Sequence, residues 1–304
     1  MIKHLRHNEI DKELWNRVVY NAHNSNVCAY SWYLDVVCPG WDALVLDDYS
    51  AVMPITCNKK FGINYLYNPF FVQQLGVFSI QEITSTAIKN FIDKIPKLFK
   101  FIEINLNSKN DISLLKNNIE SNQDFELLLN EPYDNCRHGF NENTKRNVLK
   151  SLKNNLSVKN NIDITKIITL FRNDRGANLK DLNNKYYKML ESLIAVCENN
   201  AEVLKLGVQY DNGHLLAGAI FLISNGKITF LFSGNSKEGK EKSAMFFLIN
   251  HVIQKYSNSN LILDFEGSNQ HGLANFYKGF GSVNVPYFSL KINRLPLPLK
   301  LFKK

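Results

Sequence analysis

The chain has 304 residues, 45% hydrophobic and 21% charged, a globular balance with room for two domains of roughly 150 residues each. No run approaches the ~18 apolar residues of a membrane span, and the N-terminal MIKHLRHNEIDKELW lacks the apolar core of a signal peptide, so a soluble, cytoplasmic protein is expected. A net charge of +8 suggests an anionic partner such as a nucleotide, tRNA or a membrane surface, while five cysteines without a CxxC pair argue against a disulfide framework or a zinc site.

Taken in chain order, residues 8–23 place Ile10, Leu14, Val18 and Val19 at helical spacing, with Asn8 or Asp11 as cap. Ser31–Val37 reads as a second short helix, closed by Cys38-Pro39-Gly40. Ala43–Leu46 and Ala51–Thr56 read as strands joined by Asp47-Asp48-Tyr49-Ser50, and Ile63–Tyr67 begins a third. Ile80–Lys89 and Phe91–Phe99 read as helical, Phe101–Asn105 and Phe125–Leu129 as strands. Residues 141–156 form a basic helix with Val148, Leu149, Leu152 and Leu156 as its apolar stripe. The domain boundary is expected just before it, giving domains 1–139 and 140–304.

The second half is a helix (Asn178–Asn199) followed by a meander of Val203–Tyr210, Leu215–Ile223 and Ile228–Phe232. Its turns, Asp211-Asn212-Gly213 and Asn225-Gly226, favour positive φ. A loop over 233–242, a helix Ser243–Tyr256, a strand Leu261–Glu266, a helix Leu273–Lys278 and a strand Tyr287–Ile292 complete it. The hairpin around Asp47 and its aromatic third strand echo the hairpin around Asp211, which reads as a degenerate duplication. The fold class expected is α/β with mixed sheets.

Candidate chemistry concentrates in Leu261–Gly281. Alternation along the strand puts Asp264 and Glu266 on one face, where two carboxylates suit amine binding or proton abstraction. Tyr277 and Lys278 supply a phenol that returns a proton to a leaving group and an ammonium that neutralises developing charge. In the loop before the apolar helix, Ser233, Asn235, Lys237, Gly239, Lys242 and Ser243 are candidate phosphate contacts at a helix N-terminus. The aromatic block around Tyr67, with Gln73 and Gln74, is a candidate substrate-binding cleft, and Arg146 on the basic helix is a further candidate contact. No metal-binding pattern is present in the sequence.

The order helix, meander, loop-plus-helix, strand, helix and strand resembles the GNAT acyltransferase fold. Asp264-Phe265-Glu266-Gly267-Ser268, then Gly272–Gly281 and Val285–Leu290, are similar to the FemAB-like branch, whose members carry two GNAT-like domains. Asn143-Thr144-Lys145-Arg146-Asn147 resembles that branch's inter-domain helix. The resemblance implies tandem GNAT-like domains and an N-acyltransferase. It implies acyl-CoA as co-substrate rather than a tightly bound cofactor, or aminoacyl-tRNA in the Fem manner, and an amine acceptor that is a small molecule or an envelope precursor. Lys278 is the match to the branch's transfer-assisting lysine. Lys237–Ala244 keeps one glycine of the usual CoA-pyrophosphate pattern, which leaves open a third reading, a GNAT-derived binding protein. The tail 295–304, mixed apolar and basic, is expected to pack against the body rather than form a membrane helix.

Overall fold

The structure, a computed structural model, describes residues 1–115, 119–179, 182–297 and 300. Two compact units emerge, Met1–Asn122 with Pro286–Lys304, and Gln123–Val285. The division therefore falls before Gln123 rather than at 139/140. Strand pairing decides this, because Phe125–Leu128 joins the second sheet and Tyr287–Asn293 the first. The tail 298–299 and 301–304 lies outside the described residues.

The first unit opens with β1 (Ile2–Leu5), α1 (Lys12–Asn21) and α2 (Ser31–Val37). Asp11 caps α1 by accepting from the Glu13 and Leu14 N–H groups, as its position predicts. Next come β2 (Asp42–Leu46), β3 (Ala51–Ile55), β4 (Cys57–Lys60), β5 (Ile63–Leu66) and β6 (Phe78–Ser79). The sheet β1-β2-β3-β6 is antiparallel throughout. Trp15 and Trp41, both fully buried with ring centroids 4.6 Å apart, anchor its core.

Thr84 caps α3 (Ser85–Lys94), which ends at Ile95-Pro96, so one helix replaces the two expected over 80–99. It leads into β7 (Phe99–Leu106), parallel to β5, and β8 (Ile119–Asn122) follows. The expected first-unit meander is thus split. Its hairpin β2-β3 stays in one sheet while β4-β5 begin another.

The second unit starts with β9 (Phe125–Leu128), α4 (Tyr133–His138) and α5 (Glu142–Leu152). Of the apolar stripe expected on α5, Val148 is buried but Leu149 and Leu152 stay exposed. The run Asn143–Asn147 has a visible structural use. Thr144 is buried with its Oγ1 where a Cβ on Gly279 would fall, and Asn147 Oδ1 accepts from Ser243 Oγ at 2.8 Å. Next come β10 (Ser157–Lys159), α6 (Ile164–Arg172) and α7 (Asn184–Cys197), then the meander β11 (Glu202–Gln209), β12 (Leu215–Ser224) and β13 (Lys227–Asn235). Three glycines, Gly207, Gly218 and Gly234, stand in register across it. They form a trough for α6 and the chain entering it. A Cβ at Gly207 would meet Ile162 at 2.6 Å, at Gly218 Ile167 at 2.8 Å, and at Gly234 the Phe171 amide at 2.6 Å.

The stretch expected to be a loop over 233–242 is instead the end of β13 plus α8 (Lys237–Glu241). Then follow α9 (Ala244–Tyr256), β14 (Ile262–Asp264), α10 (His271–Lys278) and β15 (Val283–Asn284). The sheet order is β10-β11-β12-β13-β14-β9-β15. The last strand, β16 (Tyr287–Asn293), completes the first unit's second sheet, β4-β5-β7-β16-β8. Each unit so contains an antiparallel pair, a helical crossover and a parallel neighbour, β4-β5-α3-β7 in one and β12-β13-α8/α9-β14 in the other. Among the described residues, no helix is long and apolar enough to cross a membrane.

Candidate active site

The site begins where two parallel strands part. β13 and β14 pair only at Lys227↔Ile262, Ile228↔Leu263 and Thr229↔Asp264. β13 then runs on to Asn235 while β14 stops. The chain is turned aside at Glu266 and Gly267, whose φ values are 51° and 39°. Asp264 Oδ1 locks the turn by accepting from the Glu266 N–H at 2.8 Å. Gly267 is needed here because a Cβ would lie 2.0 Å from the Gln123 carbonyl oxygen. Beyond Thr229, the edge of β13 that faced β14 has no strand partner among the described residues.

The wedge so opened holds about 200 Å³ and is lined by Phe230, Phe232, Ser233, Phe265, Glu266 and Tyr277, among others. A second cleft of about 280 Å³ shares Phe171, Arg175, Phe230, Ser233 and Tyr277 with it. It continues past Asn235, Lys240 and Phe276 to Ser243 at the start of α9. Aromatic side chains form much of the wall, and Tyr277 stacks on Phe265 with centroids 4.9 Å apart. Polar groups are few and placed. Arg175 is steadied by donating from Nη2 to Gln270 Oε1 at 2.7 Å, and Lys240 pairs with Asp174 at 2.6 Å. The larger cleft, mostly apolar with a few convergent polar groups, has the usual form of a small-molecule site.

Behind the wedge lies a charged cluster. Asp124, Glu126 and Asp264 bring carboxylate oxygens within 4.8 Å of one another. Lys227 Nζ lies 2.5 Å from Glu126 and 3.1 Å from Asp264. Burial alone would lower the Lys227 ammonium, but Asp264 and Glu126 more than offset it and hold the pKa above the ordinary lysine value. Burial first, and then the charge of Asp264, pushes Asp124 well above the carboxylate range. Burial, with Asp264 and Asp124 adding to it, does the same for Glu266. Tyr277 is pushed up to about 12, chiefly by burial, against a lowering by Arg175. Among the described residues its hydroxyl has no hydrogen-bond partner.

The four residues expected to act together separate into two pairs. Glu266 and Tyr277 line the wedge. Asp264 is buried behind it, spent on Lys227 and the Glu266 amide, because the left-handed turn ends the alternation one residue after the strand. Lys278 is exposed on α10, with Nζ 5.4 Å from the Phe125 ring centre, and lines neither cleft.

Of the expected phosphate contacts, Ser233, Asn235 and Ser243 line the larger cleft. Lys237 is exposed away from it and Lys240 takes the place, since α8 turns Lys237 outward. Gly239 is buried because a Cβ would meet the Leu216 carbonyl oxygen at 2.4 Å, so its reason is packing. Lys242 is half-buried beside the αL residue Ser243 and is absent from the lining.

Arg146 is exposed on α5, donating to Asn143 Oδ1 at 3.1 Å. Tyr67, Gln73 and Gln74 lie in the first unit. Gln74 is buried, with Nε2 donating to Gln73 Oε1 at 2.8 Å and Oε1 accepting from the Ser108 amide at 2.9 Å. The amide of Gln74 is therefore committed to holding its own loop. Sequence reasoning missed Arg175, Phe171 and Lys227. Arg175 and Phe171 sit in a stretch, 157–177, to which no element was assigned, although Ile164, Ile167, Ile168 and Phe171 recur at helical spacing behind a capping Asp163.

No protein-family profile and no curated protein matches the sequence. Solved structures do match. FemX aligns over 99% of both chains with a TM-score of 0.67 at 12% identity. A conserved protein of unknown function from Bacteroides thetaiotaomicron covers 92% of this chain and 96% of its own, with a TM-score of 0.60 at 9% identity. The C-terminal domain of a putative lysylphosphatidylglycerol synthetase from Agrobacterium fabrum covers 96% and 94%, with a TM-score of 0.56 at 9% identity. Two similar α/β units in one chain, and a whole-length match to FemX, mean that the protein has the FemAB-like fold of tandem GNAT-like domains.

Proposed function

We propose that this chain transfers an acyl or aminoacyl group from an activated thioester or ester to an amine, in the wedge between β13 and β14. The observation that carries the reading is the meeting, among the described residues, of a strand edge without a strand partner, a carboxyl of raised pKa and a phenol without a hydrogen-bond partner in one aromatic-walled cleft. The donor carbonyl fits against the edge of β13 that β14 leaves beyond Thr229, where backbone N–H groups would hold the oxyanion of the tetrahedral intermediate. The amine adds to the carbonyl carbon, and Glu266 takes its proton. The C–S or C–O bond then breaks, and Tyr277 protonates the departing thiolate or ribose oxygen. Ser233, Asn235, Arg175, Lys240 and the α9 N-terminus at Ser243 supply the groups that phosphates of a carrier need.

Acyl-CoA is the first donor to test, since the cleft lies between parted parallel strands and extends to a helix start. A second donor, aminoacyl-tRNA, is favoured by the whole-length likeness to FemX and by the net charge of +8. The acceptor is an amine on a small molecule or an envelope precursor.

The test is transfer of a labelled acyl group from acyl-CoAs of increasing length, and of a labelled amino acid from charged tRNA, to a panel of amines. Turnover by the wild type is expected with one donor class. Glu266→Gln is expected to lower it by roughly 10²–10⁴-fold, and Asp264→Asn to act mainly through stability. Absence of turnover with both donors, or full activity of Glu266→Gln, would remove the proposal.

A further inference from the structure

The tip of the β4–β5 hairpin is built against its own conformational preference. Lys60 pairs with Ile63, so the loop is the two residues Phe61-Gly62, and both have positive φ, 50° and 77°. That is a type I′ turn, whose first position favours Asn, Asp or Gly. A phenylalanine there is strained, and it is also 92% exposed. Neither folding nor packing accounts for it. Its neighbours Lys59 and Lys60 are exposed as well, and Lys60 Nζ lies 5.5 Å from the Phe61 ring centre.

Strand topology adds further groups at the same end of this sheet. β5 and β7 run parallel and start together, with Asn64 opposite Phe99. The residues just before and after Phe99 are Lys97, Leu98 and Lys100, all exposed. Lys59 and Leu98 line one shallow cavity of about 300 Å³. β16 runs the opposite way and ends here, where the Arg294 N–H donates to the Lys100 carbonyl at 2.7 Å. One sheet end thus presents Lys59, Lys60, Lys97 and Lys100 around the exposed side chains of Phe61 and Leu98, with Arg294 half-buried beside them, its Nη1 donating to the Ile95 carbonyl at 3.4 Å. The acidic residues nearest in sequence to this group are Glu103, 3.9 Å from the Lys291 ammonium, and Asp93, engaged by Lys89.

We propose that this end of the first unit's second sheet docks on an anionic lipid bilayer, with Phe61 entering the headgroup–acyl boundary and the lysines against lipid phosphates. Charge complementarity names the occupant. Cations ringed about a protruding aromatic match an anionic interface, which offers negative charge above an apolar layer. An RNA base can stack on Phe61, but RNA offers no apolar partner to Leu98 at the same sheet end, whereas a bilayer takes both. The inference does not rest on the transfer reaction.

The experiment is co-sedimentation of the full chain with phosphatidylcholine vesicles with and without about a third phosphatidylglycerol, at two salt concentrations. Binding is expected only to the anionic vesicles and to weaken with salt. Lys59→Glu with Lys60→Glu is expected to lower the partition coefficient by about 30-fold or more, and Phe61→Ser by about 10-fold. Phe61→Trp reports insertion directly, by a blue shift of an added emission component with anionic vesicles. Because these residues are exposed, unchanged melting of each variant separates lost docking from lost folding. Equal binding to both vesicle types, full binding by Phe61→Ser, or tRNA binding that depends on the lysines while vesicles are ignored, would each overturn the proposal.

Discussion

The two units bury polar groups of different kinds. In the first, half are neutral amides, which tie loops to strands. Asn110 both accepts from the Val77 amide and donates to the Val77 carbonyl, at 2.9 Å each, and Asn24 donates to the same carbonyl at 2.8 Å. Asn107 donates to the Asn24 carbonyl at 3.2 Å. The buried carboxylate there, Asp42, is compensated by His4 and Arg6 at 3.0 and 3.1 Å. In the second unit Asp124, Asp264, Glu126 and Glu266 crowd around one cation, Lys227. A satisfied amide stabilises and is indifferent to pH. Carboxyls pressed together raise one another's pKa and cost stability, and such groups concentrate where chemistry is done. The contrast suits scaffolding for one set and, in the proposed reaction, proton handling for the other.

The largest expected effect breaks the functional half of the contrast. Glu266→Gln should reduce transfer by roughly 10³-fold while the melting temperature at neutral pH holds or rises, because an enclosed carboxyl is replaced by a neutral amide. With Glu266 acting as base, wild-type rate should climb with pH as its raised pKa is passed, and a pH–rate profile checks this.

Next in size is Lys227→Met, which leaves Asp264 and Glu126 without their cation. A loss of about 3 kcal/mol is expected in urea unfolding. Smaller is Asn110→Ala, which leaves the Val77 N–H without its partner and the Val77 carbonyl with Asn24 alone, and should cost about 2 kcal/mol, equally at pH 5 and pH 8.

The smallest effect sharpens the comparison. Asp124 and Glu266 have folded-state pKa values above the ordinary carboxylate value. Between those values the folded chain keeps protons that the unfolded chain has lost, so this contribution to stability falls as pH rises through the window. Asp124→Asn should flatten the slope of unfolding free energy against pH by up to about 1.4 kcal/mol per pH unit. Parallel slopes for wild type and variant would show that Asp124 is ionised in the fold.

What was legible in the sequence was local. The helix over 141–156, the turns at Gly213 and Gly226 and the meander between them follow from periodicity and positive-φ residues, and each is present. The pairing of β16 with β7 joins residues such as Asn105 and Ser289, far apart in sequence, and no local pattern encodes that. The site was half legible for the same reason. Alternation places Asp264 and Glu266 together, and it holds only while the strand lasts. A glutamate in the left-handed region is rare enough that no pattern predicts it, yet that residue turns one carboxyl toward the wedge and leaves the other on Lys227. The glycines at 207, 218 and 234 look unrelated in sequence and become one trough only when three strands are in register.

The account stands or falls on where a donor carbonyl sits. A crystal structure of the protein with a stable donor analogue, an acyl-CoA thioether or an aminoacyl-adenosine amide, measures this directly. The account predicts the carbonyl mimic between β13 and the end of β14, within hydrogen-bond reach of β13 N–H groups, with Glu266 and Tyr277 flanking it. Density for the analogue elsewhere, with the wedge unfilled, would contradict it.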